Sequence, residues 1–140
     1  MSYIDTSVLV AYYCPESISA KAEKAILRAD PPTVSHLAEV EFVSAVARKV
    51  REKLLSREAA NRILNEFQSH LNQLLFKRIP IEGDHFRLAF NWLALFEMPL
   101  STLDALHLAA ASANNMVMIT ADRQLSRAAR KLGIQFRLIK

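Results

Sequence analysis

Residues 116–122 read Met-Val-Met-Ile-Thr-Ala-Asp, a short apolar run that ends in a hydroxyl and an acid. Such a run predicts a buried strand over Met116–Ile119. A basic helix is expected to begin at Asp122 and to end before Gly133, and a last strand is expected over Gln135–Ile139. This succession of strand, helix and strand is typical of a parallel sheet.

The rest of the chain repeats this alternation. Short apolar or β-prone segments predict three more strands, over Tyr3–Asp5, Thr33–Ser35 and Phe76–Ile81, the last of them near a sheet edge because Pro80 cannot donate a backbone hydrogen bond. The predicted helices begin at Thr6, run over Glu16–Ala29, His36–Lys53 and Gly83–Phe96, begin again at Ser101, and include one from Ser56 whose buried side is Ile63, Leu64, Phe67, Leu71, Leu74 and Leu75. We expect an α/β fold with a mostly parallel central sheet of about five short strands and helices on both faces.

The composition favours one soluble domain over residues 1–140. Hydrophobic residues make up 51% of the 140, which suffices for a core without disulfide or metal staples. Cys14 is the only cysteine, so an internal disulfide is excluded and a cytoplasmic location is expected. The apolar first residues lack a basic leader and contain Asp5, which argues against a signal peptide. The longest apolar runs are too short for a membrane span, so none is expected.

Basic residues are concentrated in two parts of the chain. The formal net charge is +4, from 18 Lys plus Arg against 14 Asp plus Glu. The first basic stretch runs from Arg48 to Arg62, and the second, from Arg123 to Lys140, contains no acid. Two interpretations stay open: these are solvated helix faces, or they contact the phosphates of a nucleic acid.

Four acidic residues lie at positions where ligand chemistry is expected. Asp5 and Asp122 each follow a predicted strand, and ligands of parallel sheets bind beyond the carboxyl ends of the strands. For either residue alone, a helix cap is the favoured explanation. Glu41 and Asp104 instead lie on or beside apolar helix faces, where a carboxylate is costly unless something pairs with it.

The partner of these carboxylates is either a Lys or Arg side chain or a divalent cation that several of them share. Four acids at one sheet edge repel one another, and oxygen ligands suit Mg²⁺ or Mn²⁺ better than zinc. Zinc is further disfavoured because Cys14 is the only thiol and the four histidines show no paired-ligand spacing. His107, one helical turn from Asp104, is interpreted as a packed core residue. A shared metal ion is the simplest explanation.

Four motifs follow one another along the whole chain: Tyr3-Ile4-Asp5-Thr6-Ser7, Ser35-x5-Glu41-x3-Ala45, Leu103-Asp104-Ala105-Leu106-His107-Leu108-Ala109 and Thr120-Ala121-Asp122. Together they resemble the PIN-domain ribonucleases, and most closely the VapC-type toxins of toxin–antitoxin pairs. The resemblance implies a single PIN-like domain, an Mg²⁺ or Mn²⁺ cofactor, and metal ligands at Asp5, Glu41, Asp104 and Asp122, with Thr6 and Thr120 at the family's hydroxyl positions near the metal. Side chains two positions apart on an α-helix point in directions about 200° apart around the helix axis. Glu39 and Glu41 therefore cannot both face the site, and we choose Glu41 as the metal ligand.

The implied activity is endoribonuclease, the hydrolysis of RNA phosphodiester bonds. Asp5 and Asp104 are the expected innermost ligands, Glu41 positions or deprotonates the attacking water, and Asp122 completes the shell. Because Asp122 is followed by Arg123, direct and water-mediated binding of the metal by Asp122 both stay open. The two basic stretches would hold flanking phosphates, since an acidic pocket alone repels RNA.

The resemblance also implies protein partners. A toxin needs an antitoxin that covers the site, and we expect a homodimer. Some aromatic residues are candidates for either surface, although core packing is the favoured use of most of them: Tyr12, Tyr13, Phe90, Trp92 and Phe96.

Two other function classes compete with the nuclease. One is a non-catalytic nucleic-acid-binding or scaffold domain on the same fold, because fold alone does not assign activity. The other is a response-regulator receiver, which needs a pair of acids after the first strand and a lysine after the last. The segment Ile4-Asp5-Thr6 supplies a single acid, and the four acids together favour the nuclease.

Overall fold

A sheet of five parallel strands forms the centre of the computed structural model, which describes residues 1–140. The strands are β1 (Ser2–Ile4), β2 (Pro32–Ser35), β3 (Lys77–Ile79), β4 (Val117–Thr120) and β5 (Phe136–Leu138). The helices are α1 (Thr6–Tyr13), α2 (Ser19–Arg28), α3 (His36–Arg51), α4 (Arg57–Asn72), α5 (Gly83–Leu93), α6 (Thr102–Ala113) and α7 (Arg123–Lys131). The strand order is β3-β2-β1-β4-β5, which confirms the predicted α/β fold and puts β3, followed by Pro80, at an edge.

Both faces of the sheet are buried, as predicted. Successive side chains of a strand point to opposite faces, so Tyr3 and Ile4 of β1 belong to two separate hydrophobic clusters, as do Met118 and Ile119 of β4. Helices α1 to α4 contribute to the cluster that contains Ile4, whereas α6 and α7 contribute to the cluster that contains Tyr3. The central strands β1 and β4 are therefore held rigidly at the point where the candidate site begins.

Three helices are shorter than the sequence predicts. The second helix begins at Ser19 instead of Glu16, and the helices predicted to reach Lys53 and Phe96 end two and three residues earlier. Lys53 and Phe96 have φ angles of 61° and 55°, the left-handed conformation that commonly follows a helix end. Glycine usually occupies such positions, and its absence here removes the sequence signal for the helix end.

The predicted buried side of α4 is correct only as far as the helix extends. The predictions for Leu74 and Leu75 are wrong, because the helix ends at Asn72 and these side chains are 82% and 49% exposed. Leu74 has a φ of 61°, and the amide of Leu75 donates to the carbonyl of His70 at 3.1 Å, so the chain turns out of the helical register before either side chain reaches the core.

None of the seven helices combines the length and the apolar character that crossing a bilayer requires.

Candidate active site

Asp5 lies at the carboxyl end of β1 and caps the first turn of α1. Its side chain is only 5% exposed, and its Oδ2 accepts hydrogen bonds from Ser7 Oγ at 2.6 Å and from Thr120 Oγ1 at 3.0 Å. Thr120 belongs to β4, which pairs with β1 in parallel register. The helix cap and the position at the sheet edge are thus both properties of Asp5, not alternatives.

Asp122 follows the neighbouring strand β4 and caps α7. Its Oδ1 accepts from the backbone amides of Gln124 at 2.8 Å and Leu125 at 3.2 Å, and its own amide donates to Thr120 Oγ1 at 3.0 Å. One buried hydroxyl, that of Thr120, therefore contacts both Asp5 and Asp122. Parallel pairing of β1 with β4 brings the two acids to the same edge of the sheet, as the sequence predicts.

Asp104 lies in the first turn of α6, which Ser101 caps by accepting from the Asp104 amide at 3.2 Å. The side chain is half-buried. Burial raises the pKa of the Asp104 carboxyl, and the negative charges of Asp5 and Asp122 raise it further, against smaller opposing effects of His107 and Ser101. The third acid is thus a near neighbour of the other two, and its charge is destabilised by both.

The Lys and Arg ion pairs of the protein lie elsewhere. Each of them involves Glu39 or Glu52, so none of the four predicted ligands is paired with a lysine or an arginine. The sequence left open whether a buried Lys or Arg or another source of positive charge neutralises these carboxylates. Asp5, Asp104 and Asp122 have no Lys or Arg ion pair, which excludes the first possibility for these three.

Glu41 is turned toward a different set of groups. It lies on α3, half-buried, and its Oε1 accepts from Thr6 Oγ1 at 2.7 Å and from His107 Nε2. Burial acts to raise the pKa of the Glu41 carboxyl, but the hydrogen bond and charge of His107, together with the Thr6 hydroxyl, outweigh this effect and lower it. Glu41 is consequently an ionised carboxylate that is already hydrogen-bonded.

The four acids do not form a finished metal site in this arrangement. No group of three or more His, Cys, Asp or Glu side chains is disposed to hold a metal ion. The charges of Asp5 and Asp122 act on Asp104, and Glu41 is hydrogen-bonded to Thr6, the residue that follows Asp5. The donor atoms are hard carboxylate oxygens with hydroxyls nearby, which is the chemistry that Mg²⁺ and Mn²⁺ prefer, so the residues fit such an ion by type.

Glu39, the rival of Glu41 in the sequence, has another role. Its carboxylate forms a two-point ion pair with Arg78, at 2.7 Å to Nη2 and 2.9 Å to Nε, and it accepts from His36 at 3.1 Å. Arg78 belongs to the edge strand β3. The two glutamates therefore point in different directions, as their spacing on the helix predicts.

His107 is a functional candidate that the sequence did not reveal. It is buried as predicted, at 1% exposure, but it is not merely packed: Nδ1 lies 2.6 Å from the hydroxyl of Tyr3, and that hydroxyl lies 2.7 Å from Ser35 Oγ. Burial lowers the pKa of His107, whereas the hydrogen bond to Glu41 and the charges of Asp5, Glu41 and Asp104 raise it and prevail. The feature of the sequence that could have indicated this role is the position of His107 one helical turn after Asp104, on the same face of the helix.

An open cleft of about 790 Å³ extends from Glu41 along α3. The side chains that line it come mostly from one face of this helix and from the turn after it: Thr6, Glu41, Ser44, Ala45, Arg48, Lys49, Arg51, Glu52, Leu54 and Leu103. Arg48 is held by Glu52 at 3.2 Å. Three members of the first basic stretch, Arg48, Lys49 and Arg51, thus line the same cleft as Glu41.

Some cations of the second basic stretch contact other parts of the protein. Lys131 donates to the carbonyl of Glu97 at 2.8 Å, and Arg130 lies over the ring of Phe136, so two cations of this stretch make structural contacts.

The aromatic candidates differ in burial. Tyr13 is in the core, Tyr12 and Trp92 are half-buried, and Phe90 and Phe96 are exposed, Phe96 to 93%.

Several solved structures share this fold. A toxin–antitoxin complex from Klebsiella pneumoniae has a chain with TM-score 0.67 and 16% identity, and 90% of this chain aligns with 91% of that one. VapC20 of Mycobacterium tuberculosis, described as a Sarcin-Ricin loop cleaving toxin, has TM-score 0.72 and 16% identity over 91% of this chain and 95% of its own. PAE2754 of Pyrobaculum aerophilum has TM-score 0.66 and 24% identity over 97% of this chain and 83% of its own.

A comparison with family models identifies the family of the chain, whereas no curated protein sequence is a significant match. The family model described as PIN domain matches residues 2–131, which is nearly the whole chain and includes all the acids discussed above. The chain therefore belongs to the PIN domain family.

Proposed function

We propose that the protein is an Mg²⁺- or Mn²⁺-dependent endoribonuclease and the toxin of a toxin–antitoxin pair. One observation carries the proposal: the Asp104 carboxyl lies close enough to Asp5 and Asp122 for their charges to raise its pKa, yet none of the three has a Lys or Arg ion pair. Carboxylates gathered in this way are destabilising unless a cation joins them. Membership of the PIN family and the fold of toxin proteins support the same activity.

The metal ligands are proposed residue by residue. Asp5 and Asp104 would be the innermost ligands of the ion, and Asp122 would complete the shell, directly or through water. A divalent cation held by these oxygens would supply a polarised water and stabilise the negative charge that develops on the phosphate. Thr120, which donates to the Asp5 carboxylate and accepts from the backbone amide of Asp122, connects the two acids at the ends of their strands.

Glu41 orients the attacking water. Its lowered pKa keeps the carboxylate ionised near neutral pH, which suits accepting a hydrogen bond from water better than taking its proton, because a strong base needs a higher pKa. Both protein hydrogen bonds are made to Oε1. Oε2 is therefore the oxygen that we assign to the water, and Thr6 acts by holding the carboxylate in that orientation.

The substrate phosphates run along the cleft on α3. Arg48 and Arg51 follow Glu41 by seven and ten residues, which places them roughly 10 and 15 Å further along the helix axis at 1.5 Å per residue. Their charges would neutralise phosphates flanking the cleaved bond.

The proposed partners are an RNA, an antitoxin of the kind found in the toxin–antitoxin complexes that share this fold, and a second copy of this chain, all in the cytoplasm.

Cleavage of a labelled RNA tests the activity. The wild type should cut RNA with Mg²⁺ or Mn²⁺ and should stop when EDTA is in excess, and Asp5→Asn, purified in the same way, should be inactive with either ion. Undiminished cleavage in EDTA by the wild type, together with an inactive Asp5→Asn, would overturn the metal mechanism. Salt-sensitive RNA binding without cleavage would instead favour the non-catalytic alternative.

A further inference from the structure

A buried row of hydrogen bonds connects the start of α3 with Glu41. Ser35 caps α3 by accepting from the Ala38 amide at 3.1 Å, and its hydroxyl contacts Tyr3 at 2.7 Å. Tyr3 contacts Nδ1 of His107 at 2.6 Å, and Nε2 of His107 contacts Glu41 Oε1. Ser35, Tyr3 and His107 are essentially inaccessible to solvent. The row ends at the Glu41 carboxylate.

The direction of the last hydrogen bond follows from the chemistry of its partners. An ionised carboxylate can only accept, so Nε2 of His107 carries a hydrogen and donates to Glu41, whether the ring is neutral or cationic. The opposite ring nitrogen is held by Tyr3, so the imidazole cannot rotate without breaking a second hydrogen bond. The donor is therefore fixed in space by groups on β1 and at the end of β2.

Glu41 needs such a donor because other cations compete for it. Its side chain has three rotatable bonds, and the cleft that it lines also contains Arg48, Lys49 and Arg51. An unrestrained glutamate would turn toward these charges. Donation from Thr6 and His107 to the same oxygen, Oε1, holds the carboxylate in place, and neither of these bonds uses Oε2.

We propose that His107 is a positioning residue for Glu41 and that Tyr3, supported by Ser35, fixes the imidazole in the orientation this requires. The inference rests on the proposed nuclease function, in which Glu41 orients the attacking water. Loss of the donor would leave the metal ligands and the phosphate-binding cations in place. It should therefore lower kcat and leave KM for RNA nearly unchanged.

Kinetics of matched variants test the role. His107→Gln keeps an N–H where Nε2 stands, whereas His107→Asn is too short to reach Glu41. We expect kcat of the Gln variant within about threefold of wild type, and that of the Asn variant about 100-fold lower, the order of loss caused by misplacing a reacting group by about 1 Å. Tyr3→Phe, which frees the ring but keeps the aromatic packing, should have an intermediate kcat. Equal losses in the Gln and Asn variants, or no loss in either, would overturn the proposal.

A second measurement does not depend on activity. The Nε2 proton of His107 should give a downfield, slowly exchanging imidazole resonance that moves strongly in Glu41→Gln and stays in place in Glu39→Gln, a matched change on the same helix. A resonance that is insensitive to both substitutions would show that His107 does not hold Glu41. If the contact is confirmed but the wild type cuts no RNA with Mg²⁺ or Mn²⁺, the nuclease assignment fails and His107 has no reaction to position.

Discussion

The carboxylate of Asp5 and the hydroxyl of Thr120 are hydrogen-bonded at 3.0 Å, although 115 positions separate the two residues in the chain. The same hydroxyl accepts a hydrogen bond from the backbone amide of Asp122 at 3.0 Å. Parallel pairing of β1 and β4 creates this relationship, because it aligns the carboxyl ends of two strands from opposite ends of the sequence. Two acids of the candidate site are thus positioned by the sheet itself and not by a flexible loop.

Removal of the Thr120 hydroxyl should destabilise this edge of the sheet. Thr120→Val keeps the shape but leaves the Asp122 amide without its partner and removes one of the hydrogen bonds to the Asp5 carboxylate, which keeps its bond from Ser7. We therefore expect a loss of about 1–3 kcal/mol in the free energy of unfolding. Thr120→Ser, which keeps the hydroxyl, should lose clearly less. Urea unfolding measures both, and equal losses would show that the hydroxyl has no stabilising role.

Titration of His107 should depend on Glu41. Because the hydrogen bond to Glu41 and the nearby carboxylates raise the pKa of His107, Glu41→Gln should lower that pKa in an NMR titration, and Glu39→Gln should not. Because the pKa of His107 is raised in the folded state, protonation of His107 stabilises the folded protein. This contribution is complete at pH values below the ordinary histidine range and is lost as the pH rises through the folded-state pKa. Unchanged titration in Glu41→Gln would contradict the assigned contact.

Cations in the cleft should govern RNA affinity and its salt dependence. Arg48→Gln and Arg51→Gln should each weaken binding to all RNA sequences and reduce the slope of log affinity against log salt by about one. Arg28→Gln, an exposed change on α2 that does not line the cleft, is the matched control. Fluorescence anisotropy over a salt series measures the slopes, and equal effects at all three positions would indicate a general charge effect.

The pH dependence of stability should identify Asp104 as a strained carboxylate. Its pKa is raised in the folded state by burial and by Asp5 and Asp122, so the folded protein takes up this proton more readily than the unfolded chain does. The resulting destabilisation is present at neutral pH and disappears as the pH falls below the ordinary aspartate range. In EDTA, the difference in Tm between Asp104→Asn and wild type should therefore shrink as the pH is lowered. A constant difference would contradict the prediction.

The sheet and the acids at its edge could be predicted because their signals are local. The strand over residues 116–119 and the acid that follows it are contiguous in sequence, and the alternation of strands with helices determines where parallel strands end. Asp5 and Asp122 were therefore identified with their sheet-edge position. Helix ends were less predictable, because Lys53, Leu74 and Phe96 adopt the left-handed conformation without being glycine.

The surroundings of Glu41 could not be predicted from the sequence. Its contact with His107 spans 66 positions, and that of His107 with Tyr3 spans 104. A histidine in a run of Leu and Ala has the pattern of a packed core residue, and only the tertiary arrangement shows which polar groups satisfy its two nitrogens. The pattern correctly indicated burial and gave no sign of the hydrogen bonds.

Thermal unfolding of wild type and Asp104→Asn, each in EDTA and in Mn²⁺, tests the proposal that Asp5, Asp104 and Asp122 bind a divalent cation. In EDTA, Asp104→Asn should unfold at the same or a higher temperature than wild type, because one repelling charge is removed. Mn²⁺ should raise the Tm of the wild type and have little effect on the variant, since only the protein that binds the ion is stabilised by it. A large loss of stability of Asp104→Asn in EDTA, with its response to Mn²⁺ intact, would contradict the account and make Asp104 a structural residue.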